Sequence, residues 1–423
     1  MSSSFIGSVG KLVSASIASQ AILLAILPLV TRLYNPADFG VFAVFVAILA
    51  LVLVASSLRY ELAIPLPRSD GNAFALLLLA LLLNAIIALV SILIVLPWGR
   101  YVANALNSPE LVSILWLLPF SILGAGTYRA LRLWAVRHHD FNALASTSIM
   151  QAIANAVAQI GCGMAGLGGM GLALSHFFGQ SAGAKRLTRG TASLFWGTGR
   201  RGIVRMRYMA LRYNRFPKFD VAAALIDTLS MQLPNLLLAG LFSPLVAGHY
   251  LLAERILGTP LSLISQAVGQ VIYARSRTSI EAGTMAPLAV RVLFGLGVLI
   301  VVPATLIFFV CEPLFAFVFG ESWRAAGLFA SWIVIGHSAQ FLFSSISLVL
   351  MATNAQNINL VLHLGMLVAK SASLYYGYMV GSALSGIIAF SFVNLFGYMA
   401  AIVVVIWHAR SYVPLAVSKR QTI

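Results

Sequence analysis

Apolar residues run in long stretches along the chain, and most charged residues fall between these stretches. A helix that crosses a membrane needs about 20 consecutive apolar residues, and twelve runs approach that length. They are residues 9–31, 39–58, 73–97, 110–134, 142–162, 166–183, 220–242, 246–272, 286–310, 325–351, 357–379 and 384–408. The pattern therefore predicts an all-α integral membrane protein with about twelve transmembrane helices.

One further apolar segment is too short to be a span. Residues 311–324, CEPLFAFVFGESWR, directly follow the run 286–310. We interpret this segment as a re-entrant or interfacial piece after the ninth span.

The composition supports the membrane prediction. Hydrophobic residues make up 60% of the 423 residues and charged residues 9%, whereas a soluble domain carries about 25% charged residues. So few charges cannot cover a water-soluble surface. Long, almost uncharged runs favour helical spans over an outer-membrane barrel, whose strands alternate weakly between apolar and polar residues.

Lysine and arginine lie mainly on one side of the predicted membrane. Of the 27 basic residues, 21 fall on one face, three on the other face and three within spans. Because basic loops are retained in the cytoplasm, both termini are predicted to be cytoplasmic. The hydrophilic segment 184–219 holds ten of the 21. It predicts a cytoplasmic linker lying on anionic lipid headgroups rather than a nucleic-acid-binding region.

The two sets of six runs resemble each other. LYNPADFGVF and LFSPLVAGHY match at an offset of 208 residues, and weaker matches follow in the same order at offsets of 217 and 216. The repeat predicts a six-helix lobe at 1–183 and a second at 220–423. With six spans each, the lobes insert the same way up. A pseudo-two-fold axis along the membrane normal then relates them, with a central cavity between them.

Recognisable catalytic motifs are absent from the sequence. The eleven acidic residues show no spacing typical of a metal site or an acid/base pair. Neither a Walker loop nor a G-x-S-x-G motif occurs. The predicted external loops are short for a membrane glycosyltransferase or polymerase. We therefore predict that the protein is not an enzyme and has no cofactor or metal.

Ionisable residues inside the spans are candidates for a substrate cavity, because a charge in hydrocarbon is costly. Lys370 lies deepest, about 20 Å from the cytoplasmic end of its run at 1.5 Å per residue, and Glu254 is its plausible partner. Of the other charged candidates, Arg255 and Arg291 lie inside runs, whereas Arg59, Glu61 and Arg32 lie at the ends of runs. Structural alternatives stay open for most of them. The three arginines outside the run 246–272 could snorkel to the membrane surface, and Glu254 with Arg255 could form a structural ion pair.

Neutral polar residues form a second group of cavity candidates. Gln151, Asn155 and Gln159 lie on one face of a helical run at i, i+4 and i+8. His337 and Gln340 show a similar spacing. Such stripes either line a hydrated cavity or bind a neighbouring helix, and the sequence leaves both interpretations open.

Three segments carry a resemblance to a known family. TRLYNPADFGVFAVF, SLRYELAIPLP and YLLAERILGTPLSLISQAVGQVIYAR closely resemble the bacterial polysaccharide flippases of the Wzx (oligosaccharide flippase) type. These belong to the superfamily of multidrug/oligosaccharidyl-lipid/polysaccharide exporters. The resemblance covers nearly the whole chain in order. The motif residues that match are Arg32, Pro36, Asp38, Phe39, Gly40, Arg59, Tyr60 and Glu61.

The resemblance implies a function. Flippases of this type move an undecaprenyl-diphosphate-linked oligosaccharide across the bacterial inner membrane, through a cationic cavity between two six-helix lobes. The repeat unit serves the biosynthesis of O-antigen, capsule or exopolysaccharide. The implied partners are the lipid-linked oligosaccharide and membrane lipids, with the polymerase and chain-length proteins of the pathway as further candidates. Nucleic acid is not expected.

Two rival functions share the same fold. A cation-coupled multidrug or small-molecule antiporter usually has an acidic residue inside the spans of its first lobe, and the first six runs here contain no clear one. A peptidoglycan lipid-precursor flippase commonly has two extra spans. The sequence identifies neither the sugar nor the driving ion.

Overall fold

A computed structural model describes residues 3–188, 199–353 and 355–411. Residues 189–198 of the predicted linker and the basic residues at 419 and 420 lie outside the described residues. Every regular element within the described ranges is helical. The predicted all-α fold is therefore confirmed.

The chain divides into two compact units, residues 1–248 and 249–423. The helices of the first unit are α1 (Ser3–Ala25), α2 (Leu27–Leu33), α3 (Pro36–Ala55), α4 (Asp70–Ala105), α5 (Val112–Leu115), α6 (Leu118–Arg137), α7 (Phe141–Met164), α8 (Gly168–Ser181), α9 (Ala184–Leu187), α10 (Gly199–Arg212) and α11 (Val221–Leu241). The boundary falls within α12 (Pro244–Glu281). The second unit continues with α13 (Met285–Phe319), α14 (Arg324–Ile346), α15 (Leu348–Ala352), α16 (Gln356–Met379) and α17 (Ala383–Ser411). The predicted lobes at 1–183 and 220–423 stay a prediction.

Most of the predicted runs form helices that are long and apolar enough to cross a membrane. Within the described residues there are nine such segments, and a tenth if the pair Pro109–Leu115 and Leu118–Arg137, bent by 56°, is one span. The other two predicted runs are also helical. They form α7, which carries the polar stripe, and α8, which has 14 residues. The chain is a multi-pass membrane protein.

The structure does not support the re-entrant interpretation of 311–324, whereas the interfacial interpretation stays a prediction. α13 continues as one helix of 35 residues through Phe319, and only Glu321–Trp323 form a short 3-10 turn after it. An irregular segment in hydrocarbon would leave backbone N–H and C=O groups without partners. The helix therefore continues although Pro303 and Pro313, both inside α13, each remove a backbone hydrogen bond from it.

The N-terminus of α3 is held by a capping box. The Asn35 side chain accepts a hydrogen bond from the Asp38 N–H at 2.9 Å, and Asp38 Oδ2 accepts one from the Asn35 N–H at 2.9 Å. Asp38 Oδ1 also accepts from the Gly169 N–H at 2.9 Å. Beside it, Tyr34 Oη donates to the Gln159 carbonyl oxygen at 2.7 Å. The N-P-A-D part of the motif therefore fixes where α3 begins and ties that point to α7 and α8.

The bulky apolar side chains of α13 are largely exposed. Phe294 is 75% exposed, Phe309 73% and Phe317 82%. In a multi-pass membrane protein, exposed apolar side chains face lipid, because lipid chains are as apolar as the protein interior and the exposure carries no hydrophobic penalty. α13 is therefore a lipid-facing helix over most of its length.

Candidate functional site

Four side chains from four helices form a polar cluster inside the second unit. Glu254 comes from α12, His337 from α14, Lys370 from α16 and Tyr398 from α17. The Glu254 Oε2 and His337 Nε2 atoms are 2.5 Å apart. The cluster brings Glu254 and Lys370 into the same part of the molecule, as the sequence predicts.

Lys370 is buried, with an exposed fraction of 7%. Its Nζ donates a hydrogen bond to Tyr398 Oη at 3.1 Å and lies 5.1 Å from the centre of the Tyr398 ring. The Phe390 ring centre is 5.8 Å away. These are neutral partners, and a cation–π contact contributes about 0.5–2 kcal/mol. The predicted access of Lys370 to water stays a prediction.

Glu254 and Lys370 do not form a direct ion pair. Glu254 binds His337 instead, and Lys370 acts on the Glu254 carboxyl only through space. Among the described residues, no carboxylate pairs directly with the Lys370 ammonium. The structural ion pair that would explain Lys370 is therefore missing from this arrangement.

Residues one helical turn on either side of Glu254 shape the space around it. Tyr250 packs edge-on against Phe390, with ring centres 6.1 Å apart. A Cβ atom built on Gly258 would lie 2.7 Å from Glu254 Oε1. A glycine at 258 thus leaves room for the carboxyl. Arg255 is half-buried, and as the next residue it points about 100° away from Glu254 around the helix.

The R-Y-E segment binds the end of the linker within the first unit. Arg59 has a left-handed backbone conformation, with φ of 63°. Its Nε donates to Asp220 Oδ2 at 2.9 Å, and Tyr60 Oη donates to the Ala210 carbonyl oxygen at 3.0 Å. Glu61 is 4% exposed and accepts a hydrogen bond from Ser57 Oγ. The segment therefore joins the turn after α3 to the start of α11.

The remaining charged candidates are on the surface of their units. Arg32 is exposed in the last turn of α2, and Arg291 is exposed on α13. Among the described residues, neither forms a hydrogen bond or an ion pair with the cluster around Lys370. Their predicted role in a cavity stays untested.

The polar stripe of α7 faces α8. Gln151 Nε2 donates to the Gln180 carbonyl oxygen at 2.9 Å. A Cβ built on Gly179 would lie 2.7 Å from Asn155 Cβ. Within the described residues, Asn155 Oδ1 and Gln159 Nε2 are buried without a hydrogen-bond partner. The Gln151 contact agrees with a stripe that binds a neighbouring helix. The polar atoms of Asn155 and Gln159 that have no partner agree with a stripe that lines a hydrated cavity.

Comparison with known families matches residues 29–327 to the family described as polysaccharide biosynthesis protein. The chain belongs to this polysaccharide biosynthesis family. No curated protein matches the chain. The family membership confirms the resemblance on which the sequence analysis relied.

Solved structures show the same fold in proteins of very different sequence. The chain is similar to the lipid II flippase MurJ in an inward closed conformation, with a TM-score of 0.68, 10% identity, and 94% of this chain and 89% of that chain covered. It is also similar to an inward-facing multidrug resistance MATE family transporter of the MOP superfamily, with a TM-score of 0.59, 13% identity and 94% of both chains covered. A Vibrio cholerae MATE transporter, VcmN, matches with a TM-score of 0.60 at 13% identity, over 96% and 97% of the two chains. The polysaccharide biosynthesis protein therefore has the fold of MOP superfamily transporters.

Sequence reasoning missed three partners in this family member. His337 was noticed only as part of a polar stripe, and Tyr398 and Asp220 were not assigned to any site. Helical spacing indicates which face of a helix is polar, but it does not indicate which other helix that face meets.

No metal-binding group of three or more His, Cys, Asp or Glu side chains occurs among the described residues.

Proposed function

We propose that this polysaccharide biosynthesis protein moves a polyprenyl-diphosphate-linked oligosaccharide from the cytoplasmic to the periplasmic leaflet of the bacterial inner membrane. The family match over 29–327 and the MOP transporter fold support a role in transport. The observation that carries the choice of substrate is the buried ammonium of Lys370.

The charge of Lys370 is costly where it lies. A cation near the middle of a membrane-spanning helix costs about 3 kcal/mol on insertion scales. Tyr398 and Phe390 offset part of this cost but bring no negative charge, and the Glu254 carboxyl binds His337 and acts on the ammonium only through space. A diphosphate diester would supply two negative charges, and their attraction to an ammonium is strong where water is excluded. The arrangement favours an anionic, lipid-linked substrate over a cationic drug.

Transport would proceed by alternating access, with the two predicted six-helix lobes rocking about the bound diphosphate. The sugar would pass through the hydrated space between the lobes while the polyprenyl chain stays in lipid. The product would be a repeat unit in the periplasmic leaflet for O-antigen, capsule or exopolysaccharide assembly. The polymerase and chain-length proteins of that pathway would be the next partners.

The test is a flipping assay with purified protein in liposomes. A polyprenyl-diphosphate-linked disaccharide with a fluorescent label on the sugar is placed in both leaflets, and dithionite destroys the label in the outer leaflet. Protein that flips the lipid exposes about all of the label, whereas empty liposomes protect about half of it. Full protection of the inner half in protein-containing liposomes would contradict the proposal.

Two further arms of the assay identify the rivals. Export of ethidium driven by an ion gradient, without flipping of the labelled lipid, would favour the multidrug antiporter. Transfer of the labelled sugar to an acceptor would instead reveal an enzyme. Flipping of the peptidoglycan precursor in preference to other lipid-linked sugars would favour the lipid-precursor flippase.

A further inference from the structure

The cluster around Lys370 contains an acid–base pair that holding a diphosphate does not by itself require. The Glu254 Oε2 and His337 Nε2 atoms are 2.5 Å apart. A contact this short between a carboxyl oxygen and an imidazole nitrogen requires a proton between the two atoms. Glu254 and His337 are therefore already joined by one shared proton.

The two members of the pair differ in exposure. The His337 side chain is 7% exposed and the Glu254 side chain is 38% exposed. His337 Nδ1 is buried, and no group among the described residues forms a hydrogen bond with it. A second proton on the ring would create a buried N–H donor without a partner, which is costly. The more exposed Glu254 carboxyl is therefore where a second proton would bind.

The charge of the cluster depends on this second proton. With one proton, the Glu254–His337 pair carries one negative charge, which offsets the positive charge of Lys370. With two protons, the pair is neutral, and the charge of Lys370 is no longer offset. Proton uptake would thus change the net charge of the three residues from zero to plus one, in a region of low dielectric constant where such a change is strongly felt.

Other ionisable groups around the pair are few. On α12, Tyr250 lies one turn before Glu254 and Arg255 follows it directly, while Lys370 approaches from α16 and Tyr398 from α17. Tyrosine and arginine do not change charge near neutral pH. Among the described groups at this site, Glu254 and His337 are thus the carboxyl and imidazole that share a proton.

We propose that Glu254 and His337 form a proton-binding site that controls the attraction between Lys370 and the substrate diphosphate. Binding of the anionic lipid-linked substrate would be accompanied by uptake of one proton, and release of the substrate by loss of that proton. The proposal rests on the proposed function, because it assumes that Lys370 binds a diphosphate. It assigns the coupling proton to a specific pair on α12 and α14.

The test measures proton uptake on binding. The full chain is placed in phosphatidylcholine nanodiscs and titrated by calorimetry with a farnesyl-diphosphate-linked N-acetylglucosamine, a diester without a group that titrates near neutral pH. Measurements in two buffers of different ionisation enthalpy give the number of protons taken up. We expect uptake of about one proton per ligand in the pH range where binding depends on pH, and an affinity that falls up to about tenfold per pH unit there.

Substitutions separate the pair from the rest of the site. Glu254→Gln should bind the ligand without proton uptake and with an affinity that no longer depends on pH, because the charge of Lys370 is then never offset. His337→Gln keeps the Glu254 carboxyl and a side-chain N–H donor beside it, so it should still take up a proton on binding, with the pH dependence displaced to a different pH. His249→Gln is the matched control. His249 is buried and lies on α12, the helix of Glu254, but it binds the Ser322 carbonyl oxygen, 3.0 Å from its Nε2. It should keep the wild-type proton uptake.

Two outcomes are informative in different ways. Wild-type pH dependence in Glu254→Gln, with normal folding, would overturn the proton site while leaving the proposed function intact. If the wild-type protein does not bind the ligand at any pH, the proposed function fails and the coupling fails with it. In that case, infrared spectra test the proton site separately. A carboxyl band that titrates in the wild type and is missing in Glu254→Gln would identify a proton site at Glu254.

Discussion

Gly40 and Gly248 each lie against the first residue of the other's helix. A Cβ built on Gly40 would lie 1.7 Å from the carbonyl oxygen of Pro244, and one built on Gly248 would lie 1.7 Å from the carbonyl oxygen of Pro36. The two contacts are equivalent, because Gly248 and Pro244 are the residues that match Gly40 and Pro36 at the repeat offset of 208 residues. Such reciprocity is what a local two-fold relation between α3 and the start of α12 produces.

Alanine at either glycine should destabilise the protein. The added Cβ requires the backbones of α3 and α12 to separate, which costs about 1–3 kcal/mol. We expect a lower melting temperature for Gly40→Ala and for Gly248→Ala in detergent. The double variant should lose less than the sum of the two, because one separation accommodates both methyl groups. Gly161→Ala on α7 is the control, since a Cβ there meets nothing within 4 Å, and it should melt no lower than the wild type.

A charge series at Lys370 tests its role in transport. Lys370→Arg keeps the positive charge and should retain much of the flipping rate, whereas Lys370→Ala should lose most of it at equal protein abundance. Lys185→Ala removes an exposed charge on α9 and should have no effect. Full flipping by Lys370→Ala would show that the ammonium does not hold the substrate.

The linker helix α10 should lie on the membrane surface. Met209 is 1% exposed in the core of the first unit, while Ile203, Val204 and Leu211 are 64%, 68% and 64% exposed among arginines. An apolar face flanked by basic residues is typical of a helix at the headgroup boundary. A spin label on Val204→Cys, after removal of both native cysteines, should be more accessible to oxygen than to a water-soluble nickel complex. Equal accessibility to the nickel complex and to oxygen would place α10 in water instead.

The orientation of the chain can be tested with single cysteines at exposed positions. Because basic residues are concentrated on one side, Arg212→Cys on α10 should be cytoplasmic and Glu110→Cys periplasmic. A membrane-impermeant maleimide added to intact cells, after outer-membrane permeabilisation, should label only Glu110→Cys. Labelling of Arg212→Cys without cell lysis would reverse the predicted topology.

The sequence predicted the helices well because the length and polarity of a membrane helix depend on its own residues. All twelve apolar runs lie on helices, whereas the end of α13 was misjudged because a length rule divided a continuous apolar stretch after residue 310. Contacts between helices were predicted less well. Arg59 meets Asp220 across 161 positions, and Glu254 meets His337 across 83. Packing in three dimensions decides such pairs, and the spacing within one helix carries no information about them.

The exposure of α13 has a consequence for how the protein can change over evolutionary time. None of its most apolar stretch is buried, whereas 61% of the corresponding stretch of Glu321–Ala352 is. Lipid chains adapt to the shape of a side chain, but a packed interior does not. Substitutions among Phe, Leu, Ile and Val should therefore be nearly neutral on the exposed face of α13 and harmful along α14. Related chains should diverge quickly in identity along α13 while its hydropathy stays the same.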